Sequence, residues 1–324
     1  MRKYWLVLLQ GVFSLFLIWH LFHQESLRAE ATFILKKATP TWLLFGLVTA
    51  LFTEVLSAVR WFFMLRLFGT PLSLARCFVF CGAGLFFSLG LPGSGGGDAF
   101  RIFYMMRLYP KHKLSAALSV LADRLCGLVA LIIALAITMI LHHRLFAADL
   151  HARAILSAAI FMLSLSIVGL LLWWLTSFPC ARSLWVPTML KSFRKKGDRM
   201  GRIFSRLSHH PKLVIAGVIL SLAALVTHFS TYFLSARSFS LPIRFTEIFT
   251  IMPVVDTLIL LPVTLFGVGL RETLFVQLLG GLFHVSSTAA TLTSLGGFGL
   301  QACIALLGGL LIPFTLPSAN TDKS

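Results

Sequence analysis

Two apolar stretches are interrupted in the same way. LPGSGGGDAFR at 91–101 and LPVTLFGVGLRE at 261–272 each carry Leu-Pro with a glycine five residues beyond the proline, and each then sets an acid close to an arginine. Gly93, Gly95, Gly96 and Gly97 leave backbone N–H groups bare at the start of a helix that carries Asp98, and such a loop at a helix N-terminus can bind phosphate. Arg101, one turn into that helix, would add a charge-assisted contact, bidentate where the geometry allows. On the plainer reading the glycines simply turn the chain and Asp98 caps the helix, worth about 1 kcal/mol. In the second break Gly267 and Gly269 flank Val268 ahead of Arg271 and Glu272. Glu272 complements the positive end of its helix, which leaves Arg271 for an anion, for an internal acid or for a salt bridge between the two breaks.

Other ionisable residues lie where lipid or protein, not water, must surround them. Asp123 and Arg124 fall inside the apolar run 114–141, Glu54 and Arg60 inside 41–65, and Asp256 just before the second break. A charge at the centre of a spanning helix costs roughly 2.5–3.5 kcal/mol on insertion scales, so these residues should face inward and find partners. The resulting network supports a site or is purely structural. His228, beside Thr227, Ser230 and Thr231, reads as a hydrogen-bonded core histidine. No metal-binding or nucleophile motif occurs, so neither a cofactor nor a catalytic residue is expected. Cys77, Cys81, Cys126, Cys180 and Cys303 lack zinc spacing and read as small hydrophobes. Glycines 296, 297, 299, 308 and 309 suit close helix packing.

The elements that would position these groups are transmembrane helices. The chain is 58% hydrophobic and 12% charged, with a mean hydropathy of +0.90, which excludes a soluble domain and predicts an all-α polytopic membrane protein. Runs long enough to cross lie at 4–23, 41–65, 114–141, 153–176, 213–235 and 287–314. Between them, 72–110 and 245–284 each consist of two short pieces around a Pro/Gly break, the pattern of a re-entrant helical hairpin shielded by protein. The result is about six crossings plus two hairpins in one domain, 1–324, with half-repeats 1–143 and 153–314. Three crossings per half would make the second an inverted copy, and paired breaks in the two halves point to a transporter-like substrate site.

Net charge +17 comes with no basic module suited to nucleic acid. The lysines and arginines cluster in loops, above all 177–212, which marks that loop and both termini as cytoplasmic. The start, Met1-Arg2-Lys3 followed by an apolar run, reads as a retained first helix with no clear cleavage site.

Arg60-Trp61 after a long second crossing, the LPGSGGGDAFR break, Ala122-Asp123-Arg124 and the later GVGLRE together resemble the flippase-like integral membrane family. That family shares its region with the N-terminal domain of bacterial lysylphosphatidylglycerol synthases, and the resemblance covers nearly the whole chain. By position it implies that Arg60, Pro92, Gly97, Asp98, Arg101, Asp123, Arg124, Pro262, Gly267, Gly269, Arg271 and Glu272 are the polar motif residues. It also implies a prokaryotic plasma-membrane protein that translocates an anionic or aminoacylated phospholipid, or a lipid-linked phosphate. A soluble synthase domain is not expected in this sequence, so a separate lipid synthase is a possible partner. The alternatives are a membrane glycosyltransferase or other enzyme acting on a lipid-linked phosphate, and a noncatalytic partner of a lipid synthase.

Overall fold

A computed structural model describes Lys36 and residues 38–70, 72–90, 96–175, 209–260 and 267–315. The expected first crossing 4–23, Pro92, Gly93, Gly95, Pro262 and most of the basic loop 177–212 lie outside the described residues. Those that are described form helices without strands: α1 (Pro40–Leu67), α2 (Leu74–Gly90), α3 (Gly96–Leu108), α4 (Lys113–Ala148), α5 (Leu150–Leu175), α6 (Pro211–Ser238), α7 (Phe245–Ile259), α8 (Leu270–Phe283) and α9 (Ser287–Gly309). Five of these, α1, α4, α5, α6 and α9, are long and apolar enough to cross a membrane, and each coincides with an expected crossing. The run predicted to end at 141 meets a kink at His142, whose φ of −124° and ψ of 16° are not helical. The two broken stretches are the pairs α2/α3 and α7/α8, the helices of each pair packed on one another. Helix α3 starts at Gly96, two residues before Asp98.

The centre of the fold is the pair α1/α6, the most extensive helix contact. The two run antiparallel: the N–H and Oγ1 of Thr39 donate to the Ser238 carbonyl at 2.8 and 3.1 Å, Thr49 meets Thr231 at 3.0 Å, Thr53 meets Thr227 at 2.8 Å, and Arg60 donates to Ser221 at 3.0 Å. Lipid offers helices no hydrophobic drive to associate, so a ladder of small hydroxyls is an effective way to hold them in register.

A shift of 171 positions carries Pro40 onto Pro211, Gly46 onto Gly217, Trp61 onto Tyr232, Phe62 onto Phe233, Arg66 onto Arg237 and Phe68 onto Phe239. Local structure follows the same shift. Both α1 and α6 have 28 residues, start at proline and end in the same cap. Gly69 (φ 67°) and Ser240 (φ 55°) turn left-handed after the last helical turn. Their N–H groups bond to Arg66 and Arg237, and the next residues, Thr70 and Leu241, bond back to Leu65 and Ala236, the paired hydrogen bonds of a Schellman motif. Arg66 then lies over Phe62 and Arg237 over Phe233. Contacts between elements follow this correspondence too: α4 packs on α6 and α7, while α9 packs on α1 and α2.

Large side chains from α1, α4, α5 and α6, among them Phe45, Phe52, Ile140, Phe161 and Ile219, are more than half exposed and form the outer surface expected of spanning helices. Inside, small residues allow close approach. A Cβ at Gly308 would fall 2.2 Å from the carbonyl oxygen of Gly82, so α9 and α2 touch backbone to backbone. Gly308→Ala is therefore expected to cost about 1–3 kcal/mol and to lower the thermal unfolding midpoint in detergent. Gly299→Ala, where a Cβ meets nothing within 4 Å, is expected to leave that midpoint unchanged.

Candidate anion site

Arg60 on α1 and Asp123 on α4 form a bidentate pair, with Nε donating to Oδ1 at 2.6 Å and Nη2 to Oδ2 at 3.1 Å. Asp123 is fully buried and the Arg60 side chain is 13% exposed, so the charge-assisted geometry is what makes either burial tolerable. The third guanidinium nitrogen of Arg60 donates to Ser221, whose own hydroxyl donates to Gly217 one turn earlier on α6. The neighbouring Trp61 donates from its indole to Ser119 on α4 at 3.3 Å, and Ser119 in turn donates to the Ala116 carbonyl.

Arg101 reaches the same group from α3. It is hydrogen-bonded to Asp98 one turn earlier on its own helix, lies 3.6 Å from Asp123 Oδ2, approaches the Cys81 sulfur at 3.8 Å and stacks its guanidinium 5.2 Å from the Trp61 ring centroid. Arg124 on α4 completes the set, its Nε donating to the second oxygen of Asp98 at 2.5 Å. Three arginines and two aspartates from three helices thus share one hydrogen-bonded cluster. Its open side is a cavity of about 200 Å³ lined by Glu54, Ser57, Arg60, Arg101 and Arg124 with the backbone of Gly84 and Gly97. Arg124 is the most accessible of the arginines at 46% side-chain exposure.

The glycines expected to present bare amides have packing duties as well. A Cβ on Gly97 would meet the Gly84 carbonyl oxygen at 2.6 Å and the Ser88 hydroxyl at 2.7 Å, and the Gly97 N–H donates to Ser88 Oγ at 3.0 Å. Gly97 thus lets α3 lie against α2, which aims Arg101 into the cavity. Gly96 is buried beside it.

The second break is built differently. Gly267 (φ 72°) and Gly269 (φ 87°) occupy backbone conformations that favour glycine. Glu272 folds back on its own helix start, accepting from the Gly269 N–H at 2.5 Å and from the Ser294 hydroxyl of α9 at 2.8 Å; it is 1% exposed. Arg271 lies between aromatic faces, 4.7 Å from the Phe298 ring and 6.0 Å from Tyr232. The cavity lined by Arg101 does not include Arg271. Asp256 lies in yet another place, 3.4 Å from His228 Nε2, while His228 Nδ1 contacts Gln301 at 2.8 Å.

Arg60, Asp98, Arg101, Asp123 and Arg124 are therefore drawn together, Glu54 lines the same cavity without joining their hydrogen bonds, and Arg271, Glu272 and Asp256 belong to the second half. Sequence reasoning does not single out Ser221, Ser119, Ser88 or Gln301, and it reads Cys81 as a small hydrophobe where the structure sets its sulfur beside Arg101. The small hydroxyls spaced along α6 were the available signal for Ser221, since a spanning helix seldom needs so many except against another helix. Among the described residues, no group of three or more His, Cys, Asp or Glu could hold a metal ion. Three guanidiniums line this polar space among α1, α2, α3 and α4, the kind of donor set that makes charge-assisted hydrogen bonds to anions.

A family model described as the lysylphosphatidylglycerol synthase TM region matches residues 7–309. No curated protein matches the chain. Asp123→Asn would leave Arg60 buried without its counter-charge, and a loss of about 3–5 kcal/mol is expected, read as aggregation at lower temperature in detergent. The paired change Arg60→Met with Asp123→Leu is expected to recover part of that loss.

Proposed function

The chain belongs to the lysylphosphatidylglycerol synthase transmembrane-region family, and from that premise we propose that it moves a phospholipid with an anionic headgroup between the leaflets of a bilayer. The single observation that carries this reading is the arginine-lined cavity among α1, α2, α3 and α4, at the depth of spanning helices. A lipid phosphate would meet Arg124 first, because it is the exposed arginine, and then Arg101 and Arg60, which Asp98 and Asp123 hold in place. The acyl chains would stay in the surrounding lipid.

Two further features support a translocator. The 171-position correspondence, with its equivalent helices α1 and α6 running antiparallel, supports an inverted repeat, the plan on which many transporters alternate access to a central site. The short pairs α2/α3 and α7/α8 suit re-entrant hairpins, since helices of 13 to 17 residues span a bilayer poorly. On this reading the protein resides in a prokaryotic plasma membrane with both termini cytoplasmic.

Reconstitution in liposomes with fluorescent phosphatidylglycerol tests the proposal. Wild-type protein is expected to speed the movement of label from the inner to the outer leaflet. Arg101→Gln and Arg124→Gln are each expected to slow it by about tenfold or more, the loss of one hydrogen bond to a charged group. Transport unchanged in both variants would remove the site from the mechanism.

A further inference from the structure

Glu54 differs from the other acids near the arginines. Asp98 and Asp123 are held by arginine hydrogen bonds, whereas Glu54, in the middle of α1, has no hydrogen bond and no ion pair within 4 Å among the described residues. Its position is also distinctive. Glu54 and Leu85 form the wall common to two cavities, the arginine cavity and a second of about 160 Å³ that reaches His228 and Gln301. The groups facing it can be named helix by helix. Arg60 comes from α1 itself, the Cys81 thiol from α2, Arg101 with Asp98 behind it from α3, and Arg124 with Asp123 from α4. Across the second cavity stand His228 of α6, backed by Asp256 of α7, and the neutral Gln301 of α9.

With Glu54 ionised, three guanidiniums balance three carboxylates and the resting cavity is neutral overall. A phosphate that enters adds a negative charge to a space enclosed by α1, α2, α3 and α4, where unbalanced charge is heavily penalised. The smallest correction is one proton. Placing it on Asp98 or Asp123 would break arginine pairs, but placing it on Glu54 breaks none. We propose that Glu54 takes up a proton when an anionic headgroup binds at the arginines and releases it when the headgroup leaves, so that lipid anion and proton travel together. The step is simple in its balance: the carboxylate gains a proton from the aqueous phase and becomes a carboxylic acid, and no other bond forms or breaks. The second cavity joins Glu54 to His228, and none of the three arginines is in its wall. This inference rests on the translocation reading and adds to it the source of energy, because a proton gradient would then bias the direction of lipid movement.

The test uses full-length protein in an uncharged maltoside detergent, weakly buffered near neutral pH with an indicator dye. Dihexanoylphosphatidylglycerol is titrated in while lipid binding and proton uptake are followed together. Wild type is expected to take up about one proton per lipid bound, by the linkage between ligand and proton. Glu54→Gln is expected to bind lipid with the uptake lost, and Glu54→Asp to restore it. Difference infrared spectroscopy on wild type gives a reading that does not depend on any variant: a protonated-carboxyl C=O band should appear on lipid addition. Lipid binding without proton uptake or without that band overturns the proposal while leaving translocation standing. Uptake that persists in Glu54→Gln but disappears in His228→Gln, or that requires sodium, also overturns it. If wild type binds no phosphatidylglycerol, the translocation reading falls and takes this inference with it.

Discussion

The Arg60–Asp123 pair is the contact on which the rest of the first half depends. Two ionised side chains are tolerated between spanning helices because each satisfies the other through two hydrogen bonds, and the pair then fixes how α1 faces α4. From that fixed point Asp123 lies within reach of Arg101, Arg60 reaches Ser221 on the central partner helix α6, and Trp61 is set where Arg101 can rest on its ring. Remove the pair and the cavity loses its back wall together with the orientation of two of its three arginines. The same pairing explains how three arginines can be gathered here at all: the acids hold them without filling the space in front of them.

The two halves share a frame but not a chemistry. Trp61 and Tyr232 sit at matching positions of α1 and α6, and each lies beneath an arginine that follows a broken segment, Arg101 in one half and Arg271 in the other. Around Arg101 are aspartates, a serine, a thiol and open space. Around Arg271 is an aromatic sandwich, and the α9 surface facing Tyr232 is glycine, since a Cβ on Gly297 would come within 2.3 Å of the Tyr232 ring. The matching frame thus carries unequal chemistry, an arginine-lined cavity in one half and an arginine packed among aromatic rings in the other. Glu272 fits that division, because both its oxygens are committed to Gly269 and Ser294.

Glycines serve these ends at different levels. Gly267 and Gly269 answer to backbone conformation, whereas Gly97, Gly297 and Gly308 answer to distance, leaving room for a neighbouring backbone or ring. Gly267 does both, since a Cβ there would also fall 2.6 Å from the Ile259 side chain. Gly97 shows why a glycine run before a helix is ambiguous between ligand binding and packing: its N–H is engaged by Ser88 and its missing side chain makes room for α2.

Sequence alone determined the class of the protein, the place of each described crossing, the two breaks and the list of buried charges that had to find partners. Those properties are local: a helix in lipid must be apolar over its own length, and a cluster of proline and glycine weakens the helix where it stands. Tertiary structure decided which charge meets which. Arg60 and Asp123 are distant in the chain, as are Thr53 and Thr227, and nothing in either segment names its partner. The 171-position correspondence between α1 and α6 is partly legible in the sequence, as Pro40 with Pro211 and Gly46 with Gly217, but scattered identities carry little weight until matching helix ends and caps accompany them. The separation of Arg101 from Arg271, and the place of Glu54 between two cavities, come from how α1, α6 and α9 pack, because the direction a side chain faces on a spanning helix is settled by its neighbours and not by its own run of residues.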